Sequence, residues 1–208
     1  MPEPEPAERI GILGGTFDPP HVGHVAAARA VQGALALDRL LLVVSNDPWQ
    51  KSPTRRITAA EDRFALTRAL AEVLPGTEAC RMEIDRGGPS YSVETAEEIT
   101  ERAGKSGRAR PELFLVVGAD LVTELESWER AQDLKRLVTL AVVSRPGVGG
   151  PDPAGPEGWR VEWVEGPQVD VSSSGVRQVL VRGGPIGHLV PAGVVHCIRQ
   201  RNLYAVDR

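Results

Sequence analysis

Two histidines that follow a glycine-rich segment near the start of the chain are the residues best suited to chemistry. The segment runs Gly11-Ile-Leu-Gly-Gly-Thr-Phe-Asp-Pro-Pro-His-Val-Gly-His24. A spacing of three places His21 and His24 on one face of a helical turn, and Gly23 between them leaves space for a ligand. Both imidazoles can donate hydrogen bonds to phosphate oxygens. A lone histidine is more often a core residue, but two of the four histidines of the chain fall in this one turn.

The paired glycines of this segment favour the binding of an anion. Gly14 and Gly15 allow unusual backbone angles and a close approach to a phosphate. The helix predicted to follow presents unpaired N–H groups and the positive end of its dipole. The patterns GxGxxG and GxxxxGK[ST] are both missing from the segment, which excludes the common dinucleotide fingerprint and the P-loop.

A second polar group lies near the other end of the chain, where three serines precede a glycine and an arginine. Ser172, Ser173 and Ser174 can cap the start of a helix, and their hydroxyls can equally donate to an anion there. Arg177 would aim its planar fork at the same oxygens. Simple helix capping with a solvated arginine is the alternative interpretation. We expect this group and the histidine pair to converge on one anion.

Short apolar runs that alternate with segments of helical periodicity must position these groups. The predicted strands are 10–13, 40–45, 79–84, 113–117, 140–144 and 160–164, and the predicted helices are 22–37, 59–74, 93–103, 175–181 and 192–200. This alternation predicts an α/β fold: a Rossmann-like open parallel sheet, with helices on both faces, in a single domain. Ligands of such sheets bind at the carboxyl ends of the strands.

Composition limits the classes of function. The chain of 208 residues suits one domain, and its net charge of −4 argues against a surface for nucleic acid. No apolar run approaches the roughly 20 residues that cross a bilayer, so we expect no membrane partner. The two cysteines lack metal-binding or redox spacing. A cytoplasmic protein is the expectation.

Proline and glycine mark two segments outside the predicted core. Residues 1–8 are rich in Pro and Glu and are predicted to form a disordered acidic tail. Residues 9–208 form the domain, in which 146–158 hold four Pro and five Gly and are predicted to be a flexible surface loop.

The motifs resemble those of the HxGH nucleotidylyltransferases. Within that superfamily, GGTFDPxHxGH is similar to the family of bacterial nicotinate-nucleotide adenylyltransferases, which join nicotinate mononucleotide to the AMP half of ATP. Pantetheine-phosphate adenylyltransferases share the GTFDP part, so this turn indicates the superfamily better than the acceptor. The serine-rich segment before Arg177 resembles the ISS[TS]xxR signature of the same family. The resemblance covers about residues 9–204.

The resemblance implies an ATP site. It assigns His24, Lys51 and Arg177 to the β- and γ-phosphates and to the charge of the transition state, and His21 and Thr16 to the α-phosphate. The other implied ATP-binding residues are Gly14, Gly15, Phe17, Gly23, Gly118, Asp120, Ser144, Arg145, Ser172, Ser173 and Ser174. It also implies Mg²⁺ that is bound mainly through the phosphates, without a set of protein ligands.

The resemblance further implies a site for nicotinate mononucleotide. The indole of Trp128, in a Ser-Trp segment, is expected to stack on the pyridine ring. Ser92 stands where the family usually has Thr and keeps the hydroxyl that would reach the pyridine carboxylate. Tyr91 and Asp18 are assigned to the same substrate.

Other functions remain open at this point. Nicotinamide mononucleotide or phosphopantetheine could be the acceptor, and cytidylyl transfer is a more distant alternative. A regulator that binds nucleotide without catalysis would be expected to lose one of His21, His24, Lys51 or Arg177, and all four are present. The oligomeric state is also open, with a homo-oligomer as one alternative.

Overall fold

A parallel sheet forms the centre of the protein, whose computed structural model describes residues 7–48, 57–144 and 155–204. Within those ranges the strands are β1 Arg9–Gly15, β2 Arg39–Val44, β3 Thr77–Cys80, β4 Glu112–Gly118, β5 Val138–Ser144 and β6 Val161–Glu165. They lie in the order β3-β2-β1-β4-β5-β6, and each neighbouring pair is parallel. This is the strand order of doubly wound nucleotide-binding folds, so the predicted fold class is confirmed.

Helices cover both faces of the sheet. They are α1 Val22–Leu35, α2 Ala60–Ala71, α3 Met82–Arg86, α4 Ser92–Lys105, α5 Ala131–Leu137, α6 Ser173–Val181 and α7 Ala192–Gln200, with a 3-10 helix at Ala119–Ser127. Strand β2 shows how the layers form, because its side chains alternate between two cores. Leu40, Leu42 and Val44 pack on the α1 and α2 side, whereas Leu41 and Val43 pack on the α4 side.

The third strand is the predicted element that the structure corrects. The alternating apolar residues of 79–84 predicted one strand, but β3 ends at Cys80 and α3 begins at Met82. Strand β3 is an edge strand, and Cys80 pairs with Val43, the last but one residue of β2. Met82 reaches the core from the short helix instead. A run of four to six apolar positions does not distinguish these two outcomes.

Several sequence predictions lie outside the described residues. These are Lys51 and Arg145, residues 1–6 of the predicted tail, and residues 146–154 of the predicted loop. Glu8, which the sequence assigned to the tail, is described: its carbonyl oxygen accepts a hydrogen bond from the N–H of Glu112, and its carboxylate pairs with Arg39.

Candidate active site

A cavity of about 670 Å³ opens at the carboxyl ends of β1, β4 and β5. The chain runs outward from β1 in both directions across the sheet, so the boundary between β1 and β4 is its topological switch point, where ligands of such folds bind. The walls are mostly aliphatic, and polar groups stand at the rim. The lining residues are Leu13, His21, Gly23, His24, Ala26, Ala27, Val116, Val117, Gly118, Ala119, Asp120, Val143, Ser144, Gly166, Pro167, Val169 and Val171.

The two histidines of the cavity cap helix α1 and fix each other. His21 is the N-cap residue, and its Nδ1 accepts a hydrogen bond from the N–H of Gly23 at 3.2 Å. The Nδ1 of His24 accepts from the N–H of His21 at 3.1 Å. The two rings lie 3.9 Å apart between centroids. This reciprocal pattern is a capping box in which imidazoles replace the usual hydroxyl and carboxylate.

The capping box also determines which ring atoms are free to act. A backbone N–H can only donate, so each Nδ1 that accepts from one must be unprotonated. In a neutral imidazole the proton then lies on Nε2, which becomes the donor. Burial lowers the pKa of His21 to about 4, so this ring is neutral at physiological pH. His21 is therefore an uncharged hydrogen-bond donor, through its Nε2–H.

The turn after β1 combines open space with a buried support. A Cβ on Gly14 would meet nothing within 4 Å, whereas one on Gly15 would lie 3.0 Å from the ring of Phe17. Phe17 has a positive φ of 50° and a buried side chain, whose ring packs 4.9 Å from that of His24. Thr16 is also buried. This burial disfavours a contact between the Phe17 side chain and a ligand.

The second polar group lies directly against this turn. Ser172 is the N-cap of α6 and accepts from the N–H of Gly175 at 3.1 Å. The hydroxyl of Ser173 donates to the carbonyl oxygen of Pro19 at 2.9 Å, and Nη1 of Arg177 donates to that of Asp18 at 2.6 Å. The two groups that the sequence expected to converge thus meet in the structure. Neither Ser173 nor Arg177 is among the cavity-lining residues, so both approach from beside it.

Asp18 lies beneath this junction. Its side chain is 1% exposed, and its carboxylate accepts from the hydroxyl of Tyr204 at 2.8 Å and lies 4.0 Å from Arg177. Burial, with the nearby negative charge of Asp18, raises the pKa of Tyr204, which keeps its hydroxyl protonated as the donor. This burial disfavours the predicted contact between the Asp18 carboxylate and a mononucleotide.

The end of β4 forms one wall of the cavity. A Cβ on Gly118 would meet the carboxylate of Asp120, so a side chain at this position would displace Asp120. Asp120 is exposed at the rim, and Ser144 lines the cavity from the end of β5. Within the described ranges no group of three or more His, Cys, Asp or Glu residues could hold a metal ion.

The residues predicted for the pyridine end stand apart from this cavity. Tyr91 is the N-cap of α4, Ser92 is its first residue, and Trp128 follows the 3-10 helix. Tyr91 and Trp128 pack against the same hydrophobic core. The indole Nε1 of Trp128 is buried and has no hydrogen-bond partner among the described residues. None of these three residues is among those that line this cavity.

Two features of the site escaped the sequence analysis. Gly166, Pro167 and Val169 line the cavity, although no motif marks that segment. Arg63 of α2 is buried and donates to the carbonyl oxygen of Thr16 behind the β1 turn. In the sequence, the only sign of this contact is an arginine among the apolar positions of a predicted helix.

None of the helices in the described ranges could span a membrane.

Known proteins resemble the chain over almost its whole length. The family described as Cytidylyltransferase-like matches residues 12–179. A relative from Corynebacterium kroppenstedtii, named "Probable nicotinate-nucleotide adenylyltransferase", is 40% identical over 94% of this chain and 90% of its own. A relative of the same name from Acidothermus cellulolyticus is 37% identical over 94% of both chains.

A solved structure shares the fold at much lower sequence identity. The nicotinic acid mononucleotide adenylyltransferase of Plasmodium falciparum, complexed with NaAD, superimposes with a TM-score of 0.77. The match covers 95% of this chain and 97% of the other, at 16% identity. At that identity the likeness concerns the fold.

Gly23→Ala tests the close packing of the histidine cap. A Cβ there would lie 2.9 Å from Nδ1 of His21 and 3.2 Å from Val171, so the imidazole must move. Gly33→Ala in the same helix is the matched control, because nothing lies within 4 Å of its Cβ. We expect Gly33→Ala to raise the free energy of unfolding by about 0.5–1 kcal/mol and Gly23→Ala to lower it. Urea denaturation measures both, and an equal gain in the two variants would contradict the packing.

The neutral state of His21 predicts a loss of stability in acid. Between pH 6.5 and about 4 the unfolded chain protonates this ring and the folded chain does not, so stability falls as the pH falls through that window. The contribution of His21 is roughly 3 kcal/mol in full. Urea denaturation at pH 7.5 and 4.5 should show a smaller acid loss in His21→Gln than in the unmodified protein. His196→Gln, at an exposed position, should lose as much stability in acid as the unmodified protein. Equal acid losses in all three proteins would refute the assignment of a neutral ring to His21.

Proposed function

Because the chain belongs to the family of nicotinate-nucleotide adenylyltransferases, we propose that it transfers the adenylyl group of ATP to nicotinate mononucleotide, with nicotinate adenine dinucleotide and pyrophosphate as products. The observation that carries the proposal is the junction of the histidine cap with the start of α6. Ser173 and Arg177 bind the backbone of the segment that leads into His21 and His24. Hydroxyl, guanidinium and imidazole groups therefore lie next to one another beyond the carboxyl end of β1, which supports their proposed action on one substrate.

The reaction requires the protein to position the two substrates and to neutralise the charge of the phosphates. A phosphate oxygen of the mononucleotide attacks the α-phosphorus of ATP, the bond from that phosphorus to the bridging oxygen of the β-phosphate breaks, and pyrophosphate leaves with the electron pair. No covalent bond to the enzyme is needed. Holding two reactants in line can supply on the order of 7–11 kcal/mol of the barrier.

We assign the phosphate contacts to the two converging groups and to one residue outside the described ranges. His24, Arg177 and Lys51 hold the β- and γ-phosphates, and His21 and Thr16 hold the α-phosphate. His21 donates from Nε2 as a neutral ring, since burial lowers its pKa to about 4. A neutral donor of fixed orientation stabilises charge as it develops, without reorganisation during the step.

The rest of the cavity suits the nucleoside of ATP. Its aliphatic walls, from Leu13, Val116 and Val143, can cover an adenine, and the rim offers Ser144 and Asp120. On the opposite flank, Trp128 would stack on the pyridine ring, with Tyr91 and Ser92 at its carboxylate. Stacking of this kind contributes roughly 1–3 kcal/mol.

The donor set at the rim fits Mg²⁺ held with the substrate. Asp120 offers one exposed carboxylate beside the cavity, and Mg²⁺ commonly takes one or two carboxylates together with phosphate oxygens and water. The ion would neutralise charge on the phosphates. Asp120 would help to hold it beside the phosphates. Free thiols at Cys80 and Cys197 are compatible with the cytoplasm, the location we propose.

The direct test is an assay with purified protein. Incubation with ATP, Mg²⁺ and nicotinate mononucleotide should yield nicotinate adenine dinucleotide and pyrophosphate in equal amounts, measured by chromatography and a coupled phosphate assay. Nicotinamide mononucleotide, phosphopantetheine and CTP serve as competing substrates in parallel. Folded protein that forms neither product, or that prefers another acceptor, would refute the proposal.

His24→Ala tests the proposed phosphate contact. Loss of one preorganised donor on developing charge should lower kcat at least about 100-fold. His188→Ala, at an exposed position, is the control and should keep full activity. Circular dichroism checks that both variants are folded. A tenfold or smaller fall in kcat would remove His24 from this role.

A further inference from the structure

Arg63 lies behind the proposed phosphate site and binds backbone carbonyl groups from three segments. The residue is 1% exposed on α2. Its Nε donates to the carbonyl oxygen of Thr58 at 2.8 Å, and its Nη2 donates to that of Asn46 at 3.0 Å. Its Nη1 donates to two carbonyl oxygens, that of Thr16 at 2.9 Å and that of Ser45 at 2.7 Å. A buried guanidinium that binds this many carbonyl oxygens fixes their relative positions, because its donors form a rigid planar fork.

Three of the four carbonyl groups that Arg63 binds follow the ends of two adjacent strands. Thr16 follows β1, and Ser45 and Asn46 follow β2. The N–H of Ser45 also donates to the carbonyl oxygen of Gly15 at 3.0 Å, which continues the pairing of these strands. Each peptide unit is planar, so a carbonyl held towards Arg63 turns the following N–H to the opposite side. Arg63 thereby sets the backbone orientation at Phe17, in the turn assigned to the phosphates.

Asn46 extends this connection to the segment proposed for the mononucleotide. Its N–H donates to Oγ of Ser90 at 2.9 Å, and its Nδ2 donates to the carbonyl oxygen of Gly88 at 2.9 Å. The N–H of Ser90 in turn donates to the carbonyl oxygen of Asp47 at 3.2 Å. The Ser90 hydroxyl also hydrogen-bonds the buried carboxylate of Glu83. Ser90 directly precedes Tyr91 and Ser92, so the position of Asn46 affects where these residues stand.

We propose that Arg63 is a positioning residue that sets the distance between the two bound substrates. On one side it holds the β1 turn, and on the other it holds Asn46 and, through Asn46, the segment from Gly88 to Ser92. In-line transfer requires the attacking oxygen to lie about 3–3.5 Å from phosphorus, so small displacements of either side slow the step. The inference rests on the function proposed above. It adds a residue that touches neither substrate and yet controls their alignment.

The position predicts a particular kinetic signature. Each substrate keeps its own contacts when Arg63 is altered, so binding of ATP alone and of mononucleotide alone should change little. The two bound substrates should be less precisely aligned with each other, and this should lower kcat. Lysine keeps the charge but replaces the planar fork by a single ammonium group, so Arg63→Lys cannot bind the same set of carbonyl oxygens.

The experiment compares Arg63→Lys with two controls on α2. Leu66→Ala removes a fully buried apolar side chain and destabilises the fold, and it removes none of the hydrogen bonds of Arg63. Thr67→Val removes a hydrogen bond to the carbonyl oxygen of Arg63 itself, within the helix. Steady-state kinetics are measured well below the Tm of every variant. We expect kcat to fall at least 30-fold in Arg63→Lys with KM for each substrate within threefold, and kcat of both controls to stay within threefold of the unmodified protein.

A double variant tests the route through Asn46. If Arg63 acts through the contact of Asn46 with Ser90, Arg63→Lys combined with Ser90→Ala should lower kcat little more than Arg63→Lys alone. If the two substitutions acted independently, their fold losses of kcat would multiply. That result would overturn the proposed action of Arg63 through Asn46 and Ser90. A kcat in Arg63→Lys close to that of Leu66→Ala at equal loss of Tm would overturn the inference itself. Inactivity of the unmodified protein would instead refute the proposed function, so the two failures are distinguishable.

Discussion

The site depends on hydrogen bonds that join the start of α6 to the segment after β1. Arg177 and Asp18 are 159 residues apart in sequence, and their contact brings the serine-rich helix start beside the histidine cap. Ser173 adds a second contact one residue further on, at Pro19. Both acceptors are backbone carbonyls, so the contact is insensitive to side-chain changes in that segment. The contact thus joins the segment after the central strand β1 to the helix that follows the edge strand β6.

Burial decides the electrostatic character of this junction. The site has to bind a polyanion, yet its innermost ring, His21, is neutral, because desolvation lowers its pKa to about 4. The capping box compensates for this by fixing the ring and directing the proton to Nε2. Formal positive charge is supplied by the less buried Arg177 instead. A fixed neutral donor inside and a charged donor outside spare the protein the cost of burying an unpaired cation.

The sequence predicted the strands, the sheet class and the meeting of the two polar groups, because apolar periodicity and motif spacing are local signals. It failed at 79–84, where the strand ends early and Met82 enters the core from α3. It assigned Asp18 to a ligand, which stays a prediction that the burial of the carboxylate against Tyr204 disfavours. It also missed the cavity wall from Gly166 to Val169. The run at 79–84 fits a strand or a short helix, whereas the other two features depend on packing between distant segments, which one sequence does not reveal.

The hydrogen bonds of Arg63 illustrate why such contacts cannot be found from a sequence motif. Its partners are carbonyl oxygens of Thr16, Ser45, Asn46 and Thr58, and a carbonyl has no residue type that could be recognised in a sequence. The same property makes the contact suitable for positioning, since it holds the backbone and leaves the side chains free for substrate. The histidine pair and the serine-rich turn can be recognised in the sequence because the chemistry proposed for them belongs to their side chains. The geometry that aligns them depends on the backbone, which becomes visible only in the folded structure.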